Sequence, residues 1–142
     1  MYKRLLLATD GSAHAARAAE AAIGLMKELP GAEMTIIHVS DEAPSRSELM
    51  QAGLDMKAVL EADAHKAIEE TERRFQQAEV PFTLKVAFGN PADVIVEWSQ
   101  KEHADMIIIG SRGLNAVSEV IMGSVSRKVL HHANCPVLVV KR

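Results

Sequence analysis

From end to end, the 142-residue chain alternates short apolar runs with segments of helical periodicity. Residues 3–9 are nearly continuously apolar, as expected of a strand covered on both faces. Residues 12–28 follow with helical character. Of the 21 alanines in the chain, 8 lie between Ala8 and Ala22, where small side chains let a helix approach a sheet closely. Pro30-Gly31 stops that helix, and residues 33–40 form a second buried strand. Residues 41–53 lack periodicity and read as an irregular loop. Residues 54–79 then place Met56, Leu60, Ala64, Ala67, Phe75 and Ala78 along one face, predicting a long amphipathic helix. Residues 81–88 form a third strand. Asn90-Pro91 with Asp93 is a helix start, and Val94, Ile95 and Trp98 form the buried side of that helix. Residues 105–109 form a fourth strand, more uniformly apolar than the others and therefore expected to be central. After a mostly irregular stretch come a helix at 123–132 and a last strand at 136–140. The order βαβαβαβαβ predicts an α/β domain: an open parallel sheet with helices on both faces and right-handed crossovers.

Composition narrows the class. At 48% hydrophobic and 25% charged, the chain can bury a full core, and its length suits one domain. A net charge of −3 argues against a general nucleic-acid or anionic-membrane binder, and 4% aromatic residues argue against base stacking. Cys135 is the only cysteine, which excludes a disulfide framework and a cysteine-based zinc site and suits a reducing cytoplasm. The apolar run after Lys3-Arg4 is too short for a signal peptide or a bilayer span. These features predict a cytoplasmic domain. The charge is uneven, however: residues 1–71 carry −5, and residues 110–142 carry +4. An anion site is therefore expected in the second half.

In an open parallel sheet, ligands bind outside the carboxyl ends of the strands. Two segments fall there by prediction: Ala8-Thr9-Asp10-Gly11-Ser12 and Gly110-Ser111-Arg112-Gly113, the latter followed by Gly123-Ser124-Val125-Ser126 at a helix mouth. Gly110 permits a sharp turn after its strand, and Gly113 permits backbone angles closed to other residues. Together they can aim N–H groups into an anion-binding concavity. Gly123-Ser124 opens a helix, whose free N–H groups and dipole favour a phosphate. Ser124 and Ser126 offer hydroxyls, and Arg112 offers a positive charge. The pattern alone leaves an anion cradle and an ordinary glycine turn both open. It is neither a Walker P-loop, since no Gly-Lys-Ser/Thr occurs, nor a GxGxxG dinucleotide fingerprint.

Gly110, Gly113 and Gly123-Ser124, spaced by two and nine residues, resemble the signature of the ATP-binding subclass of the universal stress protein family. Thr9-Asp10-Gly11-Ser12, His38-Val39, Gly89-Asn90-Pro91-Ala92 and residues 135–140 support the resemblance, which covers essentially the whole chain. It implies a Rossmann-like, five-stranded parallel sheet of order 3-2-1-4-5 with four helices. By the same resemblance, Ala8, Thr9 and Asp10 line the adenosine side of a bound ATP, and Val39 meets adenine through its backbone. Gly110, Arg112, Gly113, Gly123, Ser124, Val125 and Ser126 wrap ribose and phosphates. Asp10 suits a ribose hydroxyl or a water on a phosphate-held Mg²⁺ better than a phosphate itself. Arg112 either adds a phosphate contact or points away.

The remaining candidates carry less chemistry. Adjacent His131 and His132 cannot share a helix face and are expected to favour the helix C-terminus rather than a metal. His38 reads as a hydrogen-bonded core or site-edge residue. His14, His65 and His103 read as helix-surface residues. Cys135 is expected to pack as a small hydrophobe at the end of the sheet opposite the glycine loops. Met50 and Met56 flank the 41–53 loop and are expected to pack ordinarily. Residues 137–140 form an apolar edge strand, a hazard unless paired. The family commonly dimerises through this strand, so a homodimer is expected. The leading functional expectation is an ATP-binding stress-response or regulatory module without dedicated catalytic residues. A slow Mg²⁺-dependent ATP hydrolase or nucleotidyl transferase is the alternative, disfavoured because no second acidic metal ligand stands out. A nucleotide-free dimeric scaffold is the third.

Overall fold

The computed structural model describes residues 2–9, 15–111 and 123–141. Five parallel strands, β1 (Arg4–Ala8), β2 (Glu33–Ser40), β3 (Thr83–Phe88), β4 (Met106–Gly110) and β5 (Val137–Val140), lie in the order β3-β2-β1-β4-β5. The expected fold class and strand order both stand. Six helices are described: α1 (Ala15–Glu28), α2 (Arg46–Gln51), α3 (Met56–Ala67), α4 (Glu69–Gln77), α5 (Pro91–Lys101) and α6 (Ser124–His132).

Alternation along the strands feeds two cores. Leu5, Leu7, Met34, Ile36 and Ile108 face α1 and α4, where Ala18, Ala19, Ala22 and Phe75 meet them. Leu6, Ala8, Ile37, Ile107 and Ile109 face α5 and α6, where Ala92, Ile95 and Val129 meet them. The three alanines of α1 are completely buried, so their small size is what sets the helix close against the sheet. Phe75 stacks edge-on against Phe82 at 5.4 Å between ring centroids.

Six helices replace the expected four for two reasons. The segment 54–79 bends at Ile68, whose ψ of 22° interrupts the helix although Ile68 N–H still reaches the Ala64 carbonyl. Its buried stripe runs through Val59, Leu60, Ala64, Ile68, Thr71 and Phe75, while Met56 and Ala67 are exposed. The bend lets α3 cover β2 and β3 while α4 packs on α1. The second difference is α2, inside the expected loop. Ser45 Oγ accepts the Glu48 N–H and the Glu48 carboxylate accepts the Ser45 N–H, a reciprocal capping box that supports one short helix without a buried face.

Candidate functional site

The strand order reverses between β1 and β4, which leaves a crevice at their carboxyl ends. Ala8 is flanked by Ile37 of β2 and Ile109 of β4. Val39 therefore lies two residues beyond on one side, and Gly110 one residue beyond on the other. Ala8 and Val39 pack in the same core, on the α5–α6 face. Thr9 continues the pairing past β1, its N–H donating to the Ile37 carbonyl at 3.3 Å. Four of the expected site residues, Ala8, Thr9, Val39 and Gly110, thus converge on three adjacent strand ends. Asp10, Arg112 and Gly113, with Gly11 and Ser12, lie outside the described residues.

The remaining expected residues open α6. Gly123 is its N-cap, in extended conformation and without a capping side chain. First-turn N–H groups have no partner inside their own helix, and they lie at the positive end of its dipole. Gly123 N–H donates to the Ser111 carbonyl at 2.7 Å, which sets this helix start beside the end of β4. The buried Ser126 hydroxyl lies 2.9 Å from the Ser111 carbonyl and 3.0 Å from that of Gly123. These contacts tie the first turn of α6 to the end of β4. Ser124 is exposed, and Val125 packs against the α5–α6 core. Among the described residues, no group of three or more His, Cys, Asp or Glu side chains could hold a metal ion.

Other groups with shifted titration lie away from this edge. Asp105, just before β4, is held below the ordinary carboxylate range by the N–H groups of Arg4 and Lys3. Burial pushes the Cys135 thiol up, and it packs as a small hydrophobe before β5. Two cavities also lie elsewhere. One of about 170 Å³ sits between α5 and α6, and one of about 200 Å³ lies beside Arg4, Glu33, Lys85 and Trp98 at the amino edge. Sequence reasoning gave no contact for His38, whose Nδ1 lies 3.2 Å from the Thr9 carbonyl. Gly89 is placed by its backbone: φ is +143°, and an added Cβ would stand 3.1 Å from Val94 Cγ2. Its position directly before Asn90-Pro91 was the readable signal.

Among the described residues, no helix is long and apolar enough to cross a membrane. A family model described as "Universal stress protein family" matches residues 1–141. The universal stress protein MJ0531 of Methanocaldococcus jannaschii is 32% identical, over 100% of this chain and 84% of its own length. The solved structure of MJ0577 from the same organism, described there as a hypothetical protein, superposes with a TM-score of 0.79 at 30% identity, covering 100% of this chain and 97% of that one. A universal stress protein of Arabidopsis thaliana, solved with AMP bound, has the same fold at a TM-score of 0.67 and 21% identity, covering 99% and 92%. With strand order, glycine-led helix and whole-length similarity in agreement, this chain belongs to the universal stress protein family.

Proposed function

We propose that this chain binds ATP at the carboxyl edge of its sheet and acts as a nucleotide-dependent stress-response or regulatory module. The observation that carries this reading is the glycine-led, side-chain-uncapped start of α6 beside the end of β4. The donor chemistry there fits a phosphate chain: N–H groups of a helix first turn, the exposed Ser124 hydroxyl, and net charge of +4 from residue 110 onward. Ala8, Thr9 and Asp10 would line the adenosine side, and Val39 would meet adenine through its backbone. Gly110, Arg112, Gly113, Gly123, Ser124, Val125 and Ser126 would surround ribose and phosphates. Mg²⁺ would be carried by the phosphates, whose charge it partly neutralises. A solved relative of the same fold holds AMP, which is consistent with an adenine nucleotide.

The module reading includes a homodimer in the cytoplasm. Among the described residues β5 pairs with β4 on one side only, and Leu138 is 38% exposed on it. A second copy laid antiparallel along this edge would pair its free backbone groups. The single, half-buried Cys135 suits a reducing compartment. The test is direct. Protein purified from cells and acid-denatured should release adenine nucleotide to chromatography, and the emptied protein should bind Mg²⁺-ATP in a calorimetric titration. Absence of both sinks the reading.

A further inference from the structure

His38 lies outside the set of residues that would touch a nucleotide, yet it holds the backbone from which that set begins. It is half-buried in β2, with Ile36 and Met34 two and four residues earlier on the same α1-side face. Its Nδ1 is 3.2 Å from the Thr9 carbonyl oxygen. A carbonyl oxygen only accepts, so in this contact Nδ1 carries the proton, as in the Nδ1–H tautomer. The same peptide region is held from its other side, because Thr9 N–H donates to the Ile37 carbonyl at 3.3 Å. Pairing between β1 and β2 therefore extends past Ala8 by one backbone bond and one side-chain bond, both at Thr9.

We infer that His38 is a positioning residue for nucleotide binding: its Nδ1–H fixes the Thr9 carbonyl, and with it the backbone at the end of β1 that would line the adenosine side. This rests on the proposed ATP site. The physical reason is preorganisation. A strand end already held in its bound course loses less conformational freedom when ligand arrives, so affinity falls when the hold is removed even though no ligand contact is lost. Asparagine can present an amide N–H near the position of Nδ1, whereas alanine offers no donor at all.

The test has two readouts. In ¹⁵N–¹H spectra of the ligand-free protein, the His38 ring should show the Nδ1–H tautomer, and an Nε2–H tautomer overturns the inference whatever the protein binds. In Mg²⁺-ATP titrations run well below each variant's Tm, His38→Ala should weaken binding about tenfold, equivalent to loss of one ordered hydrogen bond's worth of positioning. His38→Asn should stay within about twofold to threefold of wild type. Wild-type affinity in His38→Ala, or equal losses in the two variants, overturns the inference while leaving the ATP site standing. Wild-type protein that binds no ATP removes the site itself, and the positioning role with it.

Discussion

At the amino edge of the sheet, the Asp105 carboxylate accepts the Lys3 and Arg4 N–H groups at 2.8 and 2.9 Å, and Asp105 N–H donates to the Arg4 carbonyl at 2.7 Å. Glu33 N–H donates to the Lys3 carbonyl, and the Arg4 guanidinium to the Glu102 carbonyl. At the carboxyl edge, β4 ends in a glycine and α6 starts on one, with no side chain capping the helix. Both edges belong to the same five strands. They differ in where the backbone donors go: one edge spends them on its own carboxylate and carbonyls, whereas among the described residues no side chain caps the helix start at the other. The two ends of a parallel sheet can differ in this way because the loops at each end are independent of the strand cores.

The contrast can be broken most severely at the open end. Gly123→Val puts a branched side chain at the mouth of α6. Two or more charge-assisted bonds to phosphate, at about 1.5–3 kcal/mol each, would be lost. ATP affinity should fall at least about 100-fold in a calorimetric titration while the circular dichroism of the fold is retained. Unchanged affinity would put the phosphates elsewhere. Gly89→Ala should rank next, since φ of +143° and the 3.1 Å approach to Val94 Cγ2 oppose any Cβ. Strain of this kind costs about 1–3 kcal/mol, read as a lower urea midpoint with an unchanged slope. Asn90→Ala removes the side chain that caps α5 by accepting the Asp93 N–H at 3.2 Å, and should cost about 1 kcal/mol.

The smallest effect belongs to the closed end. Asp105→Asn should lower Tm but leave ATP affinity at the wild-type value. A loss of affinity there would show that the two edges are coupled. The Asp105 carboxyl is held below its ordinary value in the folded state. Its stabilising contribution is therefore complete above the unfolded-state value near pH 4 and is lost as pH falls through the lowered one. Between about pH 5 and pH 2, wild type should lose more stability than Asp105→Asn, and the two curves should converge at the acid end.

Much of this was readable one segment at a time. Strands of continuous apolar residues, alanines on α1 and the Asn90-Pro91 start of α5 each state a local preference that the packing then obeys. The capping box at Ser45 and Glu48 was equally present in the sequence, but α2 buries nothing, so no apolar period announced it. The bend at Ile68 had no local signal, because the buried stripe runs straight through it. It comes from what lies underneath, the sheet below α3 and α1 beside α4.

By itself, the sequence determined the alternation of elements, the two-faced core and the glycine spacing at the candidate site, since periodicity and backbone freedom are properties of short stretches. Only the tertiary structure decided which strand ends meet. The switch between β1 and β4 brings Thr9 within one residue of Gly110's level and Gly123 onto Ser111. It also turned His38, a polar residue in a largely apolar strand, into the donor that holds the Thr9 carbonyl. The reason is that a strand's own pattern specifies which face is buried, whereas its neighbours, and hence the groups its side chains can reach, are set by the order of the sheet.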